Sequence, residues 1–206
     1  MNDQVSSFSV KDLKTRFLRF YDAAKPIAPK GELYMRTKMD APSWKRAAVL
    51  VPLIDHDSGL TMLFTRRVGT LNKHAGEISF PGGKADPNDD SDVDTALREA
   101  REEISLKRPS VTLLGELPFF YTSTGYEVRP VVGIVAREAI LKANPTEVAE
   151  IFEVPLAYLM DPANHVLKSK IVDGRTYSVY AISYQNHYIW GATAGMIRSF
   201  YERLYA

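Results

Sequence analysis

Apolar positions recur along the chain in two periods, and the switches between them mark out the elements. Across residues 10–23, Leu13, Phe17, Leu18 and Tyr21 fall at helical spacing with Lys and Arg between them, which predicts an amphipathic helix running into a connector at Pro26 and Pro29. Residues 46–54 and 61–67 are β-branched and leucine-rich runs, split by Asp55, His56, Asp57, Ser58 and Gly59, and read as a hairpin. Shorter strands are expected at 77–80, 111–117 and 128–136. Between them, residues 91–106 return to the helical period, with Ser91 as N-cap and Asp94 three residues on in a capping-box-like start. Beyond Pro145 the pattern predicts a strand at 150–154, a short helix at 155–160, strands at 166–172 and 176–184, and a closing helix at 193–204. Strands and helices do not alternate strictly, which favours a mixed sheet covered by helices over a doubly wound fold.

Composition narrows the classes without choosing among enzymes. The chain has 206 residues, 45% hydrophobic, 25% charged and 11% aromatic, an ordinary globular balance, and is expected to form one domain over 1–206 with an accessory helix at about 9–23. Twenty-six Lys and Arg against 25 Asp and Glu leave a formal charge of +1, so no nucleic-acid partner is expected and any affinity for anions is local. The absence of cysteine excludes disulfide frameworks, thiolate metal sites and cysteine nucleophiles. The longest apolar run, residues 47–54, is far short of a spanning helix, and the first residues lack a signal-like apolar stretch, so no membrane span and a cytoplasmic location are expected. Monomer and homodimer stay equally open.

The segment that carries chemistry runs FPGGKADPNDDSDVDTALREAREEISL, residues 80–106. With Glu99 at zero on a helical wheel, Glu102 falls at about 300° and Glu103 at about 40°, while Val93, Ala96, Leu97, Ala100 and Ile104 lie between about 60° and 160°. One stripe can dock on a sheet and the adjoining one presents three carboxylates, whose repulsion Arg98 relieves only in part. A divalent ion offsets such repulsion, and hard oxygen ligands suit Mg²⁺ or Mn²⁺, which take phosphate oxygens as further ligands. An isolated string of this kind is an ordinary charged face. Here Phe80, Pro81, Gly82 and Gly83 precede it, a strand ending in a glycine turn that lets a ligand approach the backbone.

Arg98, Glu99, Ala100, Glu102, Glu103 and Leu106 resemble the helical half of the box of the Nudix hydrolases, G-x5-E-x7-R-E-U-x-E-E-x-G-U. Gly83 sits one residue early, with Lys84 in the register of the box glycine; Asp90 replaces the first Glu, and Ser105 the late glycine. Upstream, Phe64, Thr65, Arg67, Gly76, Phe80, Pro81, Gly82 and Gly83, with Leu71 and His74, are similar to the extra motif of the coenzyme A pyrophosphatase branch, from which Asn72 and Glu77 depart where Arg and Gln are expected. Asp86, Asp89 and Ser91 keep that branch's spacing. The resemblance extends downstream through Tyr126, Val128, Pro130 and Val131, Val132 and Gly133, the segment 147–156, and residues 190–195.

The resemblance implies a Nudix-like α/β/α sandwich with a mixed sheet and a catalytic helix after the glycine turn. It implies a metal-dependent pyrophosphohydrolase that cleaves CoA or its derivatives to 3′,5′-ADP and 4′-phosphopantetheine or its acyl form. Glu99, Glu103 and Glu102 would be the metal ligands for Mg²⁺ or Mn²⁺, and the same carboxylates could orient or deprotonate water; Arg98 would hold them. Arg66, Arg67, Lys73, His74, Gly82 and Gly83 become candidates for substrate contacts, with a solvated strand-end role as the alternative for the cations and loop ordering for His74. Glu147 is either an outer ligand or a surface group. Other substrates stay open, namely ADP-ribose, an NDP-sugar or NAD(H), as does a nucleotide-sensing Nudix fold that binds without hydrolysis. An EF-hand reading of Asp86, Asn88 and Asp90 fails because Ser91 stands at the glycine position and Leu97 at the final glutamate.

Overall fold

The computed structural model describes residues 9–19, 43–69, 76–122, 124–172 and 175–205. Its centre is strand β1 (Lys45–His56), which explains why residues 47–54 are apolar without alternation: the strand is buried on both faces. Ala48, Leu50 and Ile54 point into one core and Ala47, Val51 and Leu53 into another. β1 turns through Asp57 and Ser58 into β2 (Gly59–Arg67) as an antiparallel hairpin. β3 (Ile78–Ser79) and β8 (Val148–Pro155) pair with β2, β4 (Gly82–Lys84) pairs antiparallel with β1, and β5 (Val111–Glu116) and β6 (Phe120–Tyr121) pair with β7 (Tyr126–Val135). The β1–β7 contact is parallel and the rest antiparallel, which makes an eight-stranded mixed sheet. β9 (Val166–Val172), β10 (Arg175–Tyr184) and β11 (His187–Trp190) form a separate antiparallel sheet.

Helices cover both faces. Helix α1 (Val10–Arg19) sends Leu13 and Phe17, both fully buried, against α4 (Gly191–Tyr205), where Phe17 meets Phe200 at 6.3 Å. Leu18, grouped with them by spacing, is 59% exposed, one position round the helix from the buried pair. The expected continuation to Tyr21 and the Pro26–Pro29 connector lie outside the described residues. On the opposite face α2 (Asp92–Ile104) packs Ala96, Leu97, Ala100 and Ile104 onto Leu50, Leu63 and Val131. A short helix, α3 (Leu156–Leu159), follows β8. Three layers therefore follow from one doubly buried sheet and two amphipathic coverings.

The glycines read as a turn run instead as β4, in register with Ala47, Ala48 and Val49. β4, β6 and β11 escape a reading of local pattern because two to four residues show no period, and only pairing with distant strands holds them.

α2 begins and ends on side chains with identifiable jobs. Ser91 Oγ accepts from the Asp94 amide at 3.1 Å and donates to Asp94 Oδ2 at 2.6 Å, while Arg46 grips Asp92 through two bonds of 2.8 and 2.7 Å and so ties β1 to the helix start. At the other end Ser105 adopts φ 60°, the left-handed cap at which glycine costs least, and its amide donates to Arg101 O at 3.0 Å. Ser105→Gly should therefore raise stability by about 0.5–1 kcal/mol, even after losing the exposed bond from Ser105 Oγ to Lys142 O. Urea unfolding of the pair checks this; an unchanged or lower midpoint would show that the hydroxyl outweighs the strain.

Candidate active site

The acidic stripe of α2 meets the glycine strand where β4 crosses the helix. A Cβ built on Gly83 would lie 2.5 Å from the Glu99 carboxylate, so only glycine lets the two approach. Glu103 is 2% exposed, close to the apolar edge of the helix, as its position of about 40° beside a stripe starting at about 60° requires. Glu102, on the other flank, has a side chain 54% exposed. The three carboxylates are thus one buried, one partly buried and one at the rim.

Arg98 organises the outer two. Its guanidinium donates to Asp89 Oδ1 at 3.0 Å and Oδ2 at 3.1 Å, to Glu99 Oε1 at 3.0 Å, to Glu102 Oε2 at 3.1 Å and to the Lys84 carbonyl at 2.9 Å. One side chain thereby fixes the helix, the Asp86–Asp90 loop and β4 relative to each other. Asp89, held first by its hydrogen bond from Arg98, is driven down to about 2. Sequence spacing pointed to Asp89 as part of a pattern but not to this buttressing role, because the contact spans a loop.

Glu103 has few partners. Arg67 Nη1 lies 3.7 Å from Oε1, the Gly82 amide donates to the carboxylate, and Oε2 is buried without any hydrogen-bond partner. Burial, with the charges of Glu99 and Glu147 added, pushes its carboxyl up to about 8 against the pull of Arg67. Burial also raises Glu99, again against Arg98, with Glu102 and Glu147 adding to the rise. Glu147 is brought near both by the turn before β8, whose backbone is locked by Val68 N to Glu147 O at 2.9 Å and Asn144 N to Glu103 O at 2.8 Å.

The pH dependence follows with a definite sign. A carboxyl raised from 4.5 to about 8 keeps its proton in the folded chain after the unfolded chain has lost it, so its stabilising contribution is complete below 4.5 and disappears as pH rises through about 8. Metal-free protein should lose stability between about pH 4.5 and 8, and Glu103→Gln should flatten that slope; parallel slopes by urea titration would contradict the burial argument. Asp89 acts outside this window, its stabilisation being lost only as pH falls towards about 2.

The cations divide. Arg67 faces Glu103, with its Nε buried and unpartnered, whereas Arg66 pairs with Glu150 at 3.0 Å, and Glu150 also meets His187 at 3.2 Å. The next strand position thus carries Arg66 away from the carboxylates, at a register shift between the two arginines. Phe64 and Phe80 of the upstream motif stack on each other at 5.0 Å in the core, so both are packing residues. Lys73, His74, Leu71 and Asn72 lie outside the described residues. The Glu150–His187 pair, with His187 stacked on Phe152 at 3.6 Å, was not legible in sequence because its members come from two sheets.

Among the described residues no three His, Asp or Glu side chains close into a metal-holding group. The donor set nonetheless fits a hard cation. A buried carboxylate oxygen without a donor, a second carboxylate held against a glycine, and a third adding its charge to both leave a deficit of positive charge.

A mixed sheet between helices, with a glycine strand pressed against a carboxylate helix, defines the protein as a Nudix hydrolase. The chain belongs to that family: the NUDIX domain pattern matches residues 44–173. It is similar to an uncharacterized Nudix hydrolase, NudL, of Photorhabdus laumondii subsp. laumondii, 42% identical over 160 residues that span 78% of this chain and 85% of the relative. The NudL protein of Yersinia pestis strain Pestoides F, also described as uncharacterized, is 44% identical over 154 residues, 75% of this chain and 77% of its own. In fold, the crystal structure of DR0079 from Deinococcus radiodurans superposes with a TM-score of 0.50 at 15% identity, covering 82% of this chain and 90% of that one. Hydrolases of this family generally use divalent metal ions. No helix among the described residues is long and apolar enough to cross a membrane.

Proposed function

We propose that the protein hydrolyses the diphosphate of CoA or a CoA derivative, releasing 3′,5′-ADP and 4′-phosphopantetheine or its acyl form, with Mg²⁺ or Mn²⁺ held by Glu99 and Glu103 and, at the rim, Glu102. The observation that carries the reaction is the unpartnered, buried Oε2 of Glu103 beside the glycine-lined carboxylate of Glu99. The ion supplies charge neutralisation of the diphosphate and a lowered pKa for water. Within the chain, Arg98 holds Glu99 and Glu102 in place, Arg67 faces Glu103, and Glu147 supplies a further carboxylate able to orient water. Gly82 and Gly83 leave β4 without side chains beside the carboxylates, Gly82 lying tight on β1 and Gly83 against Glu99, so that the diphosphate would meet the strand's backbone there.

The choice of CoA rests on the motif from Phe64 to Gly83 and on the single domain proposed over 1–206, with a cytoplasmic location and a small nucleotide as the sole partner class. Incubation with Mg²⁺ or Mn²⁺ and a mixture of CoA, acetyl-CoA, ADP-ribose, NADH and a UDP-sugar, followed by mass spectrometry, tests it. Selective formation of 3′,5′-ADP is the expected result. Cleavage of another member with CoA left intact would move the substrate, and no cleavage with either metal would contradict the reading.

A further inference from the structure

We infer that Lys45, Lys84 and Tyr126 form a second anion subsite, which takes a phosphomonoester carried by the same nucleotide whose diphosphate faces Glu99 and Glu103. The inference rests on the proposed diphosphate site and adds what distinguishes one substrate from another there.

Register puts the three residues together. Lys45 lies opposite Tyr126 in the parallel β1–β7 pair, and Lys84 opposite Ala47 in the β1–β4 pair. Arg46 and Ala48 turn to the α2 face, one reaching Asp92 and the other the core beneath α2, so alternation sends Lys45 and Ala47 to the opposite face. Ala47 joins the core on that side, and Lys84 shares its face. The Lys45 and Lys84 ammonium groups stand 6.0 and 5.9 Å from the centroid of the Tyr126 ring.

Two exposed ammonium groups near one ring offer an anion a pair of cations. Among the described residues no carboxylate lies within ion-pair distance of either ammonium; Arg46 instead takes Asp92 at 2.7 Å and Glu127 at 3.9 Å. Lys84 follows directly on Gly83, which abuts Glu99, and its carbonyl is held by Arg98 at 2.9 Å. Gly83 and Lys84 are successive residues of β4 and face opposite sides of the sheet, so a nucleotide with its diphosphate at Glu99 would reach the lysines by crossing the edge of β4, which among the described residues pairs with β1 alone. Lysine binds phosphate as a point charge, without a demand for bidentate geometry, which suits a terminal phosphomonoester at the rim. A nucleotide with both a diphosphate and a phosphomonoester satisfies both sites, whereas one with a diphosphate alone leaves the lysines unneutralised.

Calorimetric binding of 3′,5′-ADP and 5′-AMP to the metal-free protein and to a Lys45→Ala/Lys84→Ala variant tests this without turnover. Both side chains are exposed, and circular dichroism confirms that the variant is folded. Wild type should bind 3′,5′-ADP at least about tenfold more tightly than 5′-AMP, and the variant should lose that margin. Equal binding of the two nucleotides by wild type, or a margin that survives in the variant, overturns the subsite. In the same variant the ratio of kcat/KM for CoA over 3′-dephospho-CoA should fall in step. An absence of CoA turnover alongside an intact, lysine-dependent binding margin would instead count against the proposed reaction.

Discussion

Glu99→Gln and Glu103→Gln should each lower turnover by at least about 10²-fold while the fold stays intact. The two changes remove charge at the same place for different reasons. Glu99 is partly exposed and already shares Arg98 with Glu102 and Asp89, so its amide keeps a donor nearby. Glu103 is buried with one oxygen unpartnered, so the neutral amide relieves a desolvation cost and should leave the metal-free protein at least as stable as wild type at pH 8. Steady-state kinetics with saturating Mg²⁺, alongside urea unfolding, separates the effects. Turnover unchanged in both variants would remove these carboxylates from the reaction.

The adjacent glycines should fail in opposite ways. On Gly83 the added methyl of Ala would meet the far end of a side chain, the Glu99 carboxylate at 2.5 Å, which can swing aside. Gly83→Ala should therefore fold with little loss of stability and lose activity by at least about tenfold, because the carboxylate is displaced from its place against the strand. On Gly82 the same methyl would meet backbone, Ala48 O at 2.5 Å and Val49 Cα at 2.6 Å, which cannot move without breaking the β1–β4 pairing. Gly82→Ala should therefore cost about 1–3 kcal/mol of stability. Thermal unfolding and kinetics on both variants check the contrast, and an active, stable Gly83→Ala protein would show that the close approach has no role.

Much of this architecture is legible in the chain because it follows from local period and from burial. The unbroken apolar run in β1 already signals a strand covered on both sides, and the apolar wheel of α2 predicts the face that meets Leu50 and Val131. The Ser91 cap and the length of α4 are likewise local matters. What the pattern does not disclose depends on pairing across the chain. β4 reads as a turn because Gly-Gly-Lys has no strand propensity, yet β1 supplies its hydrogen-bonding edge. The helical wheel groups Glu99, Glu102 and Glu103 but does not show that the sheet buries one and leaves another at the rim. Arg66 and Arg67 are equivalent as neighbouring cations in sequence, and only β8 and α2, on different sides, give them different carboxylates. The same reason hides Arg98's hold on Asp89 and Lys84, as well as the approach of Glu147, which depends on the path of the chain between α2 and β8.

If Glu99 and Glu103 together hold a divalent ion, as proposed, Mn²⁺ binding measured by calorimetry in two buffers of different ionisation enthalpy should depend on both carboxylates. Because burial keeps Glu103 protonated up to about pH 8, wild type at pH 7 should bind Mn²⁺ with release of close to one proton. Glu103→Gln should bind at least about tenfold more weakly and release no comparable proton. Equal Mn²⁺ affinity and equal proton release in the two proteins would show that Glu103 does not ligate the ion.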